Sequence, residues 1–268
     1  MTNMKQTQDD RTIQPFNCST IQRVKAYAFT LAETLIVIGI IGVVAALTLP
    51  NLNHATGDKE KVTKVKKIYS SLTDAFDRAQ AVYGDYDTWF NDLDCGDLAA
   101  CNERFAKRVT EFMKVSKECG FGEGCFSNNP LLTINGKVCD ETDSYLARLI
   151  EYQAYMVTLY DGSSIAFIWA NDRYGAVRVD ADGVNKGKNQ IGNDIFNFSM
   201  EHDYSNNTFE VHADSGAVSF TGNFFYSGLN EKYKDMGSYF TKWVIENGNL
   251  DYLKCPEELN WETKTSCE

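Results

Sequence analysis

The spacing of apolar residues divides this chain into segments of different character. From Leu35 to Leu49 it reads LIVIGIIGVVAALTL, without a charged side chain. Extended back to Phe29, the run is 21 residues long and holds one acid, Glu33. A helix rising about 1.5 Å per residue would cover about 30 Å over that length, one bilayer core. Pro50 lacks an N–H and clashes with the preceding turn, so it is expected to kink or end the helix. Beyond a polar stretch, Asn51–Asp58, the pattern changes. Val62, Val65, Ile68, Tyr69, Leu72, Phe76, Ala79 and Val82 recur at steps of three and four. This spacing predicts an amphipathic helix over 59–83. A second helix is expected over Asn102–Glu118, with Phe105, Val109, Phe112 and Met113 on one side. From Tyr155 onward the pattern is that of strands. Tyr155–Tyr160 and Ile165–Ala170 flank Asp161-Gly162, a hairpin signal. Ala176–Val179, Ile195–Met200, Thr208–His212 and Ala217–Phe220 read as further short strands, and Tyr233–Asn247 as a last helix. The expected fold is α+β, a long N-terminal helix packed on an antiparallel sheet over 155–220.

Composition narrows the function more than the fold. The 268 residues are 43% hydrophobic and 24% charged, ordinary globular usage that excludes wholesale disorder. A net charge of −11 repels phosphate backbones, so direct nucleic-acid binding is not expected. The residues before Phe29 carry Lys5, Arg11, Arg23 and Lys25 against Asp9 and Asp10. Positive flanks stay cytoplasmic, so the bulk of the chain should cross the membrane. Three plain readings of the apolar run compete. One is a secretory signal peptide cleaved near Val44-Ala45-Ala46, one a simple membrane anchor, and one a buried core helix. The run is more apolar than a one-sided core stripe needs, and neither of the first two accounts for Glu33. A carboxylate within an apolar span costs about 2.5–3.5 kcal/mol on insertion scales, which makes Glu33 a functional candidate.

The segment Lys25-Ala-Tyr-Ala28, then Phe29-Thr-Leu-Ala-Glu33-Thr-Leu-Ile-Val-Ile-Gly-Ile-Ile, resembles the cleavage and methylation site of type IV prepilins and type II secretion pseudopilins. The resemblance covers about twenty-five residues. It implies cytoplasmic cleavage between Ala28 and Phe29 by a prepilin peptidase, followed by N-methylation of Phe29. Glu33 matches the acid at the fifth place of the processed chain, and Pro50 a common proline at the twenty-second. Ala28 stands where the family usually has Gly, and the leader is long, with Met4 a second possible start. On this resemblance residues 1–28 are a removed leader and 29–50 a transmembrane and filament-core helix. Residues 51–268 are an exported pilin-like domain with a Cys-rich helical insert at 94–140. The expected partners are other pilin or pseudopilin subunits, the peptidase and the inner membrane. The expected location is the inner membrane, single-pass, with the C-terminal domain periplasmic or at the cell surface. The implied role is structural, in a secretion pseudopilus or a type IV pilus. A membrane-anchored or secreted binding protein and a DNA-uptake pilin are the alternatives. Losing the leader's 4 basic and 2 acidic residues from totals of 26 and 37 leaves a charge of −13, which disfavours DNA contact.

No enzymatic signature stands out: there is no G-x-S-x-G, phosphate-binding glycine loop or dinucleotide fingerprint in a suitable context. The histidines, His54, His202 and His212, are read as ordinary surface or packed residues. Of the 8 cysteines, Cys18 lies in the leader and seven follow the apolar run. Short spacings suggest Cys95 with Cys101, Cys119 with Cys125, and Cys255 with Cys267, leaving Cys139 over. The last pair resembles the C-terminal disulfide loop of many pilins. Zinc spacing is absent. Lys59, Lys61, Lys64, Lys66 and Lys67 face a lone Glu60. They are read as a solvated helix face, or else as partners for acids of a neighbouring subunit. The stretch Asp180–Asp194 is dense in oxygen donors and glycines. Calcium takes six to eight oxygens in a tight loop, so Asp180, Asp182, Asn185, Asn189 and Asp194 are candidate calcium ligands. The loop is similar to one in a subset of pilin-like proteins, some of which bind calcium. The plainer alternative, and the preferred one, is a glycine-rich turn capped by Asp and Asn side chains.

Overall fold

The computed structural model describes residues 31–139, 144–184, 186–203, 208–213, 239–261 and 263–267, with only the backbone described at 45–56, 203 and 239. The chain divides into two units, Met1–Pro50 and Asn51–Glu268. Helix α1 runs Leu31–Tyr83, so of the two outcomes expected at Pro50, a kink or an end, the helix does not end there. A proline removes one backbone hydrogen bond and crowds one turn, a local cost that the flanking turns can absorb.

The second unit is α+β. Its part of α1 buries Val62, Val65, Ile68, Leu72, Ala75, Phe76 and Ala79, the face that the spacing predicts. Val82, expected on that face, is exposed. Gly84 stops the helix: at φ +84° its N–H donates back to the Gln80 carbonyl at 2.9 Å. That left-handed cap is cheap only for glycine. A 3-10 turn, Tyr86–Phe90, follows. It sets Tyr86 and Trp89 against Phe76, with ring centroids 5.5 and 5.7 Å away.

Six strands form one antiparallel sheet in chain order: β1 (Val115–Gly120), β2 (Tyr155–Leu159), β3 (Ser164–Ile168), β4 (Tyr174–Asp180), β5 (Ile195–Asp203) and β6 (Thr208–His212). Phe167, Val177 and Phe198 lie opposite one another across β3, β4 and β5. They share one face. Tyr69 of α1 stacks on Phe198 at 5.7 Å, and Phe105 of helix α2 (Leu98–Thr110) meets Phe167 edge-on at 5.1 Å. Both helices therefore cover the same face. Helix α3 (Tyr145–Glu151) lies in the long β1–β2 connection, and α4 (Tyr239–Asn247) adjoins β5, where Asn197 N–H donates to Thr241 Oγ1 at 3.0 Å.

Two expectations need correction. The helix expected over Asn102–Glu118 ends at Thr110, and Val115–Gly120 is an edge strand. The sheet therefore begins at 115 rather than 155. The expected strand Ala217–Phe220 and the first residues of the expected last helix lie outside the described residues.

Three disulfides join Cys95 to Cys101, Cys119 to Cys125 and Cys255 to Cys267, and Cys139 is half-buried outside them. A buried Asn102 clamps two connections at once. Its amide donates to the carbonyls of Tyr152 and Gln153 at 3.3 and 2.9 Å, and its oxygen accepts Ala170 N–H at 2.9 Å.

Candidate functional site

Two places carry the candidate residues, one in each unit. In the first unit, Ala28 and Phe29 lie outside the described residues. Glu33 sits near the first described residue of α1 and is exposed. Pro50 is within the helix, its side chain undescribed. Leu31, Leu35, Ile36, Val37, Ile38, Ile40, Ile41, Val43 and Val44 are all 54–79% exposed. Successive helical residues turn by about 100°, so Leu35–Ile38 alone point around the whole circumference. A helix apolar on every side is one that something else must surround. Among the described residues, no helix is both long and apolar enough to cross a membrane.

In the second unit, the Asp180–Asp194 loop joins β4 to β5. Asp180 and Asp194 are buried, while Asp182 is only 16% exposed. Asp180 Oδ1 accepts the N–H groups of Asp182 and Gly183 at 3.1 and 2.8 Å, while its Oδ2 is buried without a hydrogen bond. Burial pushes this carboxyl up to about 7, with the charges of Asp194 and Asp182 adding to the shift against the N–H bonds. Asp194 is also raised, mainly by burial. Both its oxygens are used: Oδ2 accepts Lys188 N–H at 2.8 Å and Oδ1 accepts Gln190 N–H at 3.2 Å. Asn189, at φ +50°, spends its amide on Ser127 Oγ and the Asn129 carbonyl at 2.9 and 2.8 Å. Gly187 has φ +77°, and a side chain there would run into the Asp194 and Asp182 carboxylates. Lys61 of α1 reaches across, its Nζ 3.4 Å from Asp182 Oδ2 and 2.8 Å from Asn193 Oδ1.

The residues present do not fit a calcium ion. One buried oxygen, Asp180 Oδ2, is open, but Asp194 and Asn189 are committed to the protein's own donors, and an ammonium already stands beside Asp182. Among the described residues, no three His, Cys, Asp or Glu are arranged to hold a metal. Asn185 lies outside the described residues. What the arrangement does chemically is close a turn: backbone N–H groups cap carboxylates, as in Asx turns.

The lysines of α1 divide: Lys59, Lys66 and Lys67 are exposed, as on a solvated face, while Lys61 and Lys64 are half-buried. Lys61, Lys64 and Lys67 pair within the chain, with Asp182, Glu60 and Asp161. Lysine spacing alone could not show the pairs of Lys61 and Lys67, because their partners lie in the β4–β5 and β2–β3 connections, whereas Glu60 is one turn from Lys64 on α1 itself. The roles of Asn102 and Ser127 were equally silent in the sequence. His202 packs edge-on against Phe209 at 4.9 Å and is paired with it in register, so it does not face His212. No family model, no curated protein and no solved structure matches this chain.

Proposed function

We propose that this chain is a structural, pilin-like subunit, made as an inner-membrane precursor, trimmed before Phe29 and assembled into a type II secretion pseudopilus or type IV pilus. The observation that carries the reading is the first part of α1. Nine large aliphatic residues between Leu31 and Val44 are exposed on all sides, with one acid, Glu33, among them. Such a surface needs lipid before assembly and neighbouring helices afterwards. The prepilin-like segment around Ala28 and Phe29, the α+β domain with helices on one sheet face, and the cysteine pairs suited to an oxidising compartment support the same reading.

The mature N-terminus tests it. Intact-mass analysis of the membrane fraction should give a chain beginning at methylated Phe29. A chain starting at Leu47 would mean a signal peptide, and a retained leader would mean a simple anchor. Either result would remove the pilin reading. Ala28→Gly should leave cleavage unchanged or faster, whereas a bulky residue at 28 should block it.

A further inference from the structure

We infer that the ammonium of Lys61 is the built-in cation of the Asp180–Asp194 loop, standing in the role a divalent ion would otherwise have, so that the globular unit folds stably without metal. Three acids converge on this turn. Asp180 and Asp194 are buried, and the Asp182 and Asp194 carboxylates both close on Gly187. Three carboxyls at low exposure disfavour one another's ionised forms, and a nearby positive charge relieves this. Lys61 supplies it from another element, touching Asp182 Oδ2 at 3.4 Å and Asn193 Oδ1 at 2.8 Å. The two side chains of the ion pair are only 20% and 16% exposed, so water screens it poorly.

The position is fixed rather than adaptable. Lys61 adjoins the buried Val62 and lies one turn before Val65, which has no exposed surface. Core packing therefore holds its backbone in place. A metal would need free oxygens, but of the buried carboxylate oxygens only Asp180 Oδ2 is open: both oxygens of Asp194 accept backbone N–H groups, of Lys188 and Gln190, and Asp180 Oδ1 accepts those of Asp182 and Gly183. Lys67 repeats the device nearby, 3.2 Å from Asp161 in the β2–β3 turn. Two lysines of α1 thus reach two acidic turns of the sheet. The inference rests on this geometry alone and stands apart from the filament reading.

Thermal melting of the full-length protein in detergent tests it, in excess chelator and in millimolar calcium chloride. Wild-type curves should superimpose, since no ion is needed and ligand binding would raise Tm. Lys61→Met should lower Tm by about 3–10 °C, because it leaves Asp182 uncompensated at low exposure. Lys61→Arg should retain most of the lost Tm. Lys61→Met combined with Asp182→Asn should recover most of it, because the acid that needs the cation is gone. A calcium-dependent rise in wild-type Tm would overturn the inference even if no variant folds. So would an unchanged Tm in Lys61→Met, or losses in the double variant that simply add.

Discussion

Asp180 has the environment most at odds with its chemistry. It is a buried carboxyl with one oxygen bonded to two N–H groups and the other bonded to nothing, and its folded pKa is about 7. In the unfolded chain it ionises near the ordinary carboxylate value of about 4. The folded state therefore holds a proton that the unfolded state releases. The stability linked to this group is fully present below about pH 4 and is lost as pH rises through about 7. Three units correspond to on the order of 4 kcal/mol, an upper figure. Asp194, raised in the same direction, adds to the trend. Asp180→Asn keeps an oxygen for the two N–H donors and removes the titration. Its Tm relative to wild type should be clearly higher at pH 8 than at pH 5. The same difference at both pH values would show that Asp180 ionises freely in the fold. The identity of these residues was legible in the sequence, as a run of acids, amides and glycines. Their roles were not, because the donor set depends on which N–H groups the turn aims inward and on Lys61 of α1.

Elements were legible where one period ran long enough to dominate. The face of α1 from Val62 to Ala79 and strand β6, Thr208–His212, fall where the pattern places them. The helix expected to reach Glu118 shows the limit. Phe112 and Met113 continue the helical period of Phe105 and Val109, but the chain tightens there, with Phe112 N–H on the Val109 carbonyl at 3.1 Å and Met113 N–H on the Thr110 carbonyl at 3.0 Å. Val115 then pairs with Leu159 of β2, a tertiary contact that overrides a weak local preference. Helix α3 was missed for the opposite reason: at 7 residues it is too short for a period to show. Its signal is Ser144, whose Oγ accepts Ala147 N–H at 3.1 Å as an N-cap. Ser144→Ala should therefore cost about 1 kcal/mol in urea unfolding, while Ser144→Asp should cost little. Equal losses in both would mean that α3 is held by the packing of Tyr145, Leu146 and Leu149 alone.

At the scale of the whole molecule, the chain carries a well-packed domain in one unit and, in the other, a helix segment whose large aliphatic side chains are exposed. The domain accounts for itself: its core closes, and six of its cysteines join in three short loops. The segment from Leu31 to Val44 does not, and Glu33 is its discordant member. On the proposed reading, cleavage leaves a positive amine on Phe29, four residues before Glu33 and so on the same side of the helix. In lipid a carboxylate is costly, and it is favoured by a proton, by the interface or by an opposite charge. In a filament core the amine of an adjacent subunit is such a charge. A desolvated pair of this kind punishes loss of one member more than it rewards the presence of both, since the other charge is left stranded. Glu33→Val makes the span more apolar, so insertion and cleavage should proceed as in wild type. Assembly should fall sharply, because the stranded amine opposes docking. The quantity to measure is the sheared filament fraction against total mature protein in the membrane. A drop of tenfold or more corresponds to about 1.4 kcal/mol of lost docking energy, a modest demand on a buried charge pair. Normal filament yield from Glu33→Val would make the acid incidental and leave the exposed aliphatic helix better explained as a plain anchor.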